Sequence, residues 1–401
     1  MTFKKLDVVV INDFHPSELS GAATEALNSA MRIATNGSFR VQFHSGGKIS
    51  RNFYAEELFC SQIQRLRIQN FLLSKSDRLI SARFLKLVIR HLNLFRFMPT
   101  IIRNRHSTFV LHSIGTFFPL SMILILNALR VKVYLVHNDF SYLLPGKVYP
   151  HHFLEKEKIN ASLDLSREFA QLKIEKSSIR RYILRAVCNS MTTQGSLTGL
   201  QGDILRANGF QCDNSLVQTV ETCHCSEINK STNLFVKSRI QILFIGRPIG
   251  KGFQDLIDLV QSSYSLRLVA VGSNSLSEIL TKALPYDKFE FLGRLNPPEI
   301  FSAIHNSHVV WARSVCFDVG PLTILEALSH GVPVVCTPIT GNAEHARKLM
   351  PSLVQPLSFV PDERYIHDVV EKWKSGKRQQ ISKKYIDSLP ADSYIQMIQS
   401  S

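Results

Sequence analysis

The sequence predicts an α/β protein built from two doubly wound, parallel-sheet domains, and three observations carry that expectation. At 401 residues the chain is too long for one ordinary core. Short apolar, β-branched runs alternate with helix-length stretches from residue 6 to residue 336, the rhythm of strand–helix–strand units. A polar stretch at 226–238 interrupts that rhythm and divides the chain into domains of 1–225 and 226–388.

In the first domain, residues 6–11 form a continuous apolar run, as in a strand buried on both faces. A loop then leads to Gly21 and a helix at 24–34. A second strand is predicted at 41–44, followed by a helical region at 54–105 rich in Arg and Lys. Within it, at 100° per residue, Phe84, Leu85, Val88, Leu92 and Phe95 share one face, Lys86, Arg90 and Asn93 lie opposite, and Pro99 ends the helix. Such a helix suits an anionic membrane surface or, as the alternative, packs its apolar face on the sheet. Strands at 108–112 and 131–136 flank a helix at 117–129. The strand at 131–136 delivers His137 at its C-terminal end, the edge where open α/β sheets bind ligands. A helix at 177–187, a strand at 188–193, a helix starting at Ser196 and a strand at 216–220 complete the domain.

The second domain restarts with a strand at 241–245 and the loop GRPIGKG at 246–252, before a helix at 253–262. A guanidinium fork and a point charge at a strand end are what a diphosphate needs, so Arg247 and Lys251 are candidates. Strands at 266–271, 289–292 and 308–312 follow, with a helix at 297–305. Asp318 lies in the next loop, and Pro321 suits the first position of a helix at 322–330 that ends at Gly331. The backbone of Gly320, Pro321, Leu322 and Thr323 sits at the positive end of that helix, a favourable place for phosphate. Asp318 and Glu326, eight positions apart, are expected to face one cleft. Residues 332–336 read as a buried parallel strand, Gly341 and Asn342 open the next helix, and further helices are predicted at 362–374 and 377–388.

Lys plus Arg exceed Asp plus Glu by 47 − 32 = 15, a balance that suits anionic partners. No RNA-binding signature or zinc-finger spacing is present, so nucleic acid is not expected as a partner. The seven cysteines include no C-x-x-C pair, which predicts reduced thiols, a cytoplasmic setting and no structural metal. The apolar run at the N-terminus is only strand length, unlike a signal peptide, and the longest apolar run, 117–129, is short of the ~20 residues that span a bilayer.

The stretch 311–344 resembles the signature of the retaining glycosyltransferases of the GT-B fold, family 4. There, two acids separated by seven residues flank a glycine-containing helix start, followed by E-A-x-x-x-G-x-P-V-V. Here Glu326, Ala327 and the GVPVV run at 331–335 match that tail, Gly320 matches the helix start, and Asp318 replaces the usual first glutamate. GRPIGKG is similar to the family's G-R-x-x-x-x-K-G with a shorter loop, and the HNDFSYLLPG run from His137 is similar to H-D-x-x-x-x-x-P-G. A single Gly21 stands where relatives carry Gly-Gly, and the Pro-Asn-Gly run usual after the strand at 216–220 is absent.

The resemblance implies two Rossmann-like domains facing a cleft, with 389–401 crossing back to the first. It also implies transfer of a sugar from a nucleotide-diphosphate donor to a glycan, lipid-linked or small-molecule acceptor, with retention of configuration. Arg247 and Lys251 would neutralise the leaving diphosphate together with the backbone at Gly320, Pro321, Leu322 and Thr323. Glu326 would bind the donor ribose, Asp318 the transferred sugar, and His137 would position that sugar from the first domain, with Gly21 near donor and acceptor. No metal and no cofactor besides the donor is implied. The implied setting is cell-surface polysaccharide or glycolipid synthesis in the cytoplasm, at the inner face of a membrane. Two other readings stay open at this point: a GT-B homologue without catalysis that binds a partner, and a sugar-nucleotide 2-epimerase.

Overall fold

A computed structural model describes residues 6–12, 21–35, 39–45, 66–70, 83–112, 119, 121–138, 179–190, 193–212, 214–215, 239–248, 250–316, 318–373, 380, 382–383, 385, 394, 396 and 398. The chain divides into two compact units. One comprises Met1–Lys147, Ala170–Gln218 and Pro390–Ser401, the other Val148–Phe169 and Thr219–Leu389.

The first unit holds a seven-stranded sheet in the order β3-β2-β1-β4-β5-β6-β7. Its strands are β1 (Leu6–Asn12), β2 (Phe39–Ser45), β3 (Leu66–Asn70), β4 (Thr108–His112), β5 (Lys132–His137), β6 (Thr193–Ser196) and β7 (Asn214–Ser215). Every pairing is parallel. β1 is central, and Val8, Val9, Val10 and Ile11 are fully buried, as the unbroken apolar run requires. The helices are α1 (Gly21–Thr35), α2 (Arg83–Arg103), α3 (Ser121–Ala128), α4 (Ile179–Asn189) and α5 (Gly199–Ala207). The C-terminal segment belongs to this unit. The Tyr394 hydroxyl donates to Glu25 Oε1 of α1 at 3.2 Å, its ring stacks on His112, and the Arg32 guanidinium lies over that ring.

Several sequence expectations shift here. The helical region at 54–105 contains strand β3, which pairs with β2, and local composition does not report such a partner. Pro99 does not end its helix: α2 runs on to Arg103. The carbonyl that loses its partner there is that of Phe95, an exposed residue, where water can take the place of the missing N–H. The strand expected at 188–193 is displaced. α4 continues through Cys188, which is buried one turn after Leu184, and β6 starts at Thr193. The following helix begins at Gly199, not Ser196, because the Thr198 side chain caps it by accepting from the Gln201 N–H. The strand at 216–220 and the linker at 226–238 lie outside the described residues.

The second unit holds a five-stranded parallel sheet in the order β10-β9-β8-β11-β12. Its strands are β8 (Ile240–Ile245), β9 (Leu266–Val271), β10 (Phe289–Gly293), β11 (Val309–Ala312) and β12 (Val334–Cys336). Helices α6 (Phe253–Ser262), α7 (Asn274–Ala283), α8 (Pro297–His305), α9 (Leu322–Ser329), α10 (Ala343–Leu349) and α11 (Glu363–Lys372) alternate with the strands or follow them. α8 starts at a capping box between Asn296 and Glu299. β12 is shorter than expected because Gly331 adopts φ 63° and Pro333 has no N–H to give the ladder. β8 lies between β9 and β11, so the sheet's strand order turns there, and open α/β sheets bind ligands beyond the strand ends at such a point. Among the described residues no helix is long and apolar enough to cross a membrane.

Candidate active site

The loop after β8 and the loop after β11 meet at the turn in strand order of the second sheet. Three glycines shape the first loop, Gly246, Gly250 and Gly252, with φ of 132°, 77° and 60°. The last two allow a close approach as well as the left-handed backbone. A Cβ on Gly252 would stand 2.3 Å from the Arg313 carbonyl oxygen, and one on Gly250 would stand 2.7 Å from Cys316 Sγ. The loop is thereby docked along the segment that follows β11. Val315 N and Cys316 Sγ donate to Gly250 O at 3.0 and 3.3 Å, and Trp311 Nε1 donates to Gly252 O at 3.1 Å. The spacing of GRPIGKG is in this way a packing pattern as much as a phosphate pattern.

That docking brings Lys251 into an ion pair with Asp318, whose Oδ2 also accepts from Ser314 Oγ at 3.3 Å. Asp318 is fixed from the far side too, since its carbonyl accepts from Gly341 N at 2.7 Å. Asn342 Nδ2 donates to Pro321 O at 3.1 Å, and Thr337 Oγ1 donates to Ser314 O at 2.6 Å. The short run from 337 to 342 therefore clamps the loop that carries Asp318. Burial lowers the Lys251 ammonium to about 8, with the Cys316 thiol acting in the opposite direction. Contact with the Asp318 carboxylate favours the charged form, so Lys251 is a cation at neutral pH.

Arg247 is exposed and forms no hydrogen bond or ion pair among the described residues. Pro321 caps α9 with an extended ψ of 119°, one position earlier than its expected place in the first turn. The N–H groups of Gly320, Leu322 and Thr323 meet no backbone acceptor among the described residues, which leaves the positive end of α9 open to an anion. Glu326 lies one turn into α9, half-buried, and its carboxylate makes no hydrogen bond or ion pair among the described residues. Burial pushes it up to about 7. An acid kept poorly solvated and unpaired is costly to the fold, and such groups concentrate at functional sites.

Arg313 is the residue that sequence reading missed. It is buried at the end of β11 and ion-paired with Asp255 of α6, and it donates to the carbonyls of Leu357 at 2.7 Å and Phe359 at 2.5 Å. It ties the start of the loop after β11 to α6 and to the segment 357–359. No local signal marks it, because its partners lie 44 to 58 positions away.

The remaining candidates are in the first unit. His137 ends β5, as expected, and is fully buried. Its Nε2 donates to Gln194 Oε1 at 3.0 Å, and its ring meets Phe210 edge to face. Gln194 in turn donates to Cys188 O at 2.9 Å, so His137 links the end of β5 through β6 to the C-terminal end of α4. Gly21 is the first residue of α1.

Residues 226–375 match the family model of glycosyl transferases group 1. The matched segment makes up most of the second unit. No curated protein matches the sequence. Among solved structures, a sucrose-phosphate synthase from Thermosynechococcus elongatus is similar, with a TM-score of 0.66, 12% identity and 98% of each chain covered. The Anabaena protein HepE in complex with UDP gives 0.62, 12% and 98% of each chain. WaaG, a glycosyltransferase involved in lipopolysaccharide biosynthesis, gives 0.53, 13% and 98% of each chain. At these identities the likeness is one of fold, and the fold is GT-B: two parallel-sheet Rossmann-like domains in one chain. The group 1 glycosyltransferase match includes both Glu326 and Asp318, so the unpaired carboxylate and the ion-paired one both lie in its segment.

Proposed function

We propose that the protein transfers a sugar from a nucleotide-diphosphate donor, a uridine diphosphate sugar as the first candidate, to an acceptor with retention of anomeric configuration and without a metal. The observation that carries the proposal is Glu326, a half-buried carboxylate with no partner among the described residues, set one turn into a helix whose N-terminal amides are open. Ribose hydroxyls would supply its missing donors. Arg247, Lys251 and the amides of Gly320, Leu322 and Thr323 would take up charge as the nucleoside diphosphate leaves. Asp318 would accept from hydroxyls of the transferred sugar, sharing Lys251 with the phosphate. The role proposed for His137, buried and bonded to Gln194, is to fix the end of β5. HepE was determined with UDP, which supports the choice of nucleotide.

The acceptor proposed is a glycan, a lipid-linked sugar or a small molecule in cell-surface polysaccharide or glycolipid synthesis, at the cytoplasmic face of a membrane. The direct test is incubation of the purified protein with a panel of nucleotide sugars. Slow release of nucleoside diphosphate from one of them is expected, and release from none, together with no nucleoside diphosphate binding, overturns the proposal.

A further inference from the structure

Among the described residues of the first unit, most of the large exposed apolar side chains lie on three neighbouring helices that carry no acidic residue. On α2, Leu92, Phe95 and Ile102 are 55%, 76% and 57% exposed, while Asn93, Leu94, Phe97 and Ile101 face inward. The face of Leu92 and Phe95 thus points away from the sheet. α3 packs beside α2: Ser121 Oγ lies 3.3 Å from His91 Nε2, and an apolar groove of about 330 Å³ runs between them, lined by Leu94, Phe95, Met98 and Ile125. α3 adds exposed Leu124, and α4, which packs against α3, adds exposed Tyr182 and Ile183. The Arg185 guanidinium lies over the Tyr182 ring.

Among the described residues, the charged residues carried by these three helices are all basic. From residue 78 to residue 138, 61 consecutive positions hold nine Lys or Arg and no Asp or Glu. α4 adds Arg185, again without an acid on the helix. Arg96, Arg103 and Arg105 are exposed. A set of protruding apolar side chains beside cations that form no ion pair among the described residues exceeds the scattered exposure of an ordinary surface.

We infer that the α2–α3–α4 face docks on an anionic lipid layer, with Leu92, Phe95, Ile102, Leu124 and Ile183 entering the headgroup–acyl boundary and the arginines meeting lipid phosphates. A second copy of the chain fits this face poorly, because a two-fold contact would set cations against cations. RNA also fits poorly, since most of the protruding groups are aliphatic and offer bases neither stacking nor hydrogen bonds. The inference rests on the membrane setting proposed above but not on the transfer chemistry.

The test is flotation of the full chain with phosphatidylglycerol-containing and pure phosphatidylcholine vesicles, at low and high salt. Binding to the anionic vesicles at low salt is expected, weakening as salt rises. Arg96→Gln with Arg103→Gln is expected to lower it about 30-fold, and Phe95→Ser with Ile183→Ser to lower it at every salt concentration. Nucleoside diphosphate affinity, measured by calorimetry, should stay at the wild-type value in both variants, which separates loss of docking from loss of fold and from failure of the proposed activity. Four results overturn the inference: no flotation of the wild type with anionic vesicles, equal flotation with neutral ones, variants that float like the wild type, or a dimer broken by Phe95→Ser with no vesicle binding.

Discussion

Replacing Glu326 by Gln separates a site carboxylate from a structural one, because the two roles move stability in opposite directions. Burial raises this acid from 4.5 to about 7. Between those values the folded protein keeps the proton that the unfolded chain has released. Stability therefore falls as pH rises through the window, and the full deficit is present above 7. The gap corresponds to about 3 kcal/mol at pH 8. Gln has the same shape and no charge, so Glu326→Gln should be more stable than the wild type at pH 8 by up to about 3 kcal/mol. At pH 4 the two should melt together. The same change should remove charge-assisted hydrogen bonds to the donor ribose and weaken nucleoside diphosphate binding by about 1.5–3 kcal/mol, or roughly 10- to 150-fold. Wild-type affinity should also climb with pH through 7, and the variant's should not. Thermal denaturation at the two pH values and calorimetry with uridine diphosphate read both effects. A Gln variant that is less stable at pH 8 and binds the nucleotide as tightly as the wild type would refute the reasoning.

Arg247→Ala and Lys251→Ala should each weaken binding of the nucleoside diphosphate much more than binding of the nucleoside; equal losses would point to a general folding defect. Because burial lowers Lys251 while its ion pair with Asp318 holds it charged, diphosphate affinity should decline on the alkaline side at lower pH in Asp318→Asn than in the wild type, and identical alkaline profiles would remove Lys251 from the phosphate site. Asp318→Glu should keep turnover, whereas Asp318→Asn should lower it by breaking the ion pair with Lys251. Full activity in the Asn variant would reduce Asp318 to a loop anchor. Gly252→Ala forces a side chain onto a left-handed residue and against Arg313 O, so it should cost more than about 1 kcal/mol, and an unchanged melting temperature would show that the loop is not docked as described.

Much of both sheets could be read directly, because a strand buried on both faces writes its burial into a short run of its own residues. Residues 6–11 and 266–271 are such runs, and β1 and β9 occupy them. The helices at 253–262 and 297–305 were equally plain, the second from its proline-containing start. The stretch from β11 to α10 also announced itself, since its helix start, its glycine stop and its two acids sit within a few turns of one another. What the sequence left open depends on distant partners. Strand β3 becomes legible only beside β2, and the true limits of α4 and β6 are set by the burial of Cys188 and Gln194. Whether Leu92 and Phe95 face the sheet or the solvent was undecided until Leu94, Phe97 and Ile101 took the inward positions. The pairing of Lys251 with Asp318, and of Arg313 with Asp255, joins residues 67 and 58 positions apart. It exists because β8 and β11 are neighbours in the sheet, and strand order is fixed by the packing of the whole unit, which no local run of side chains encodes.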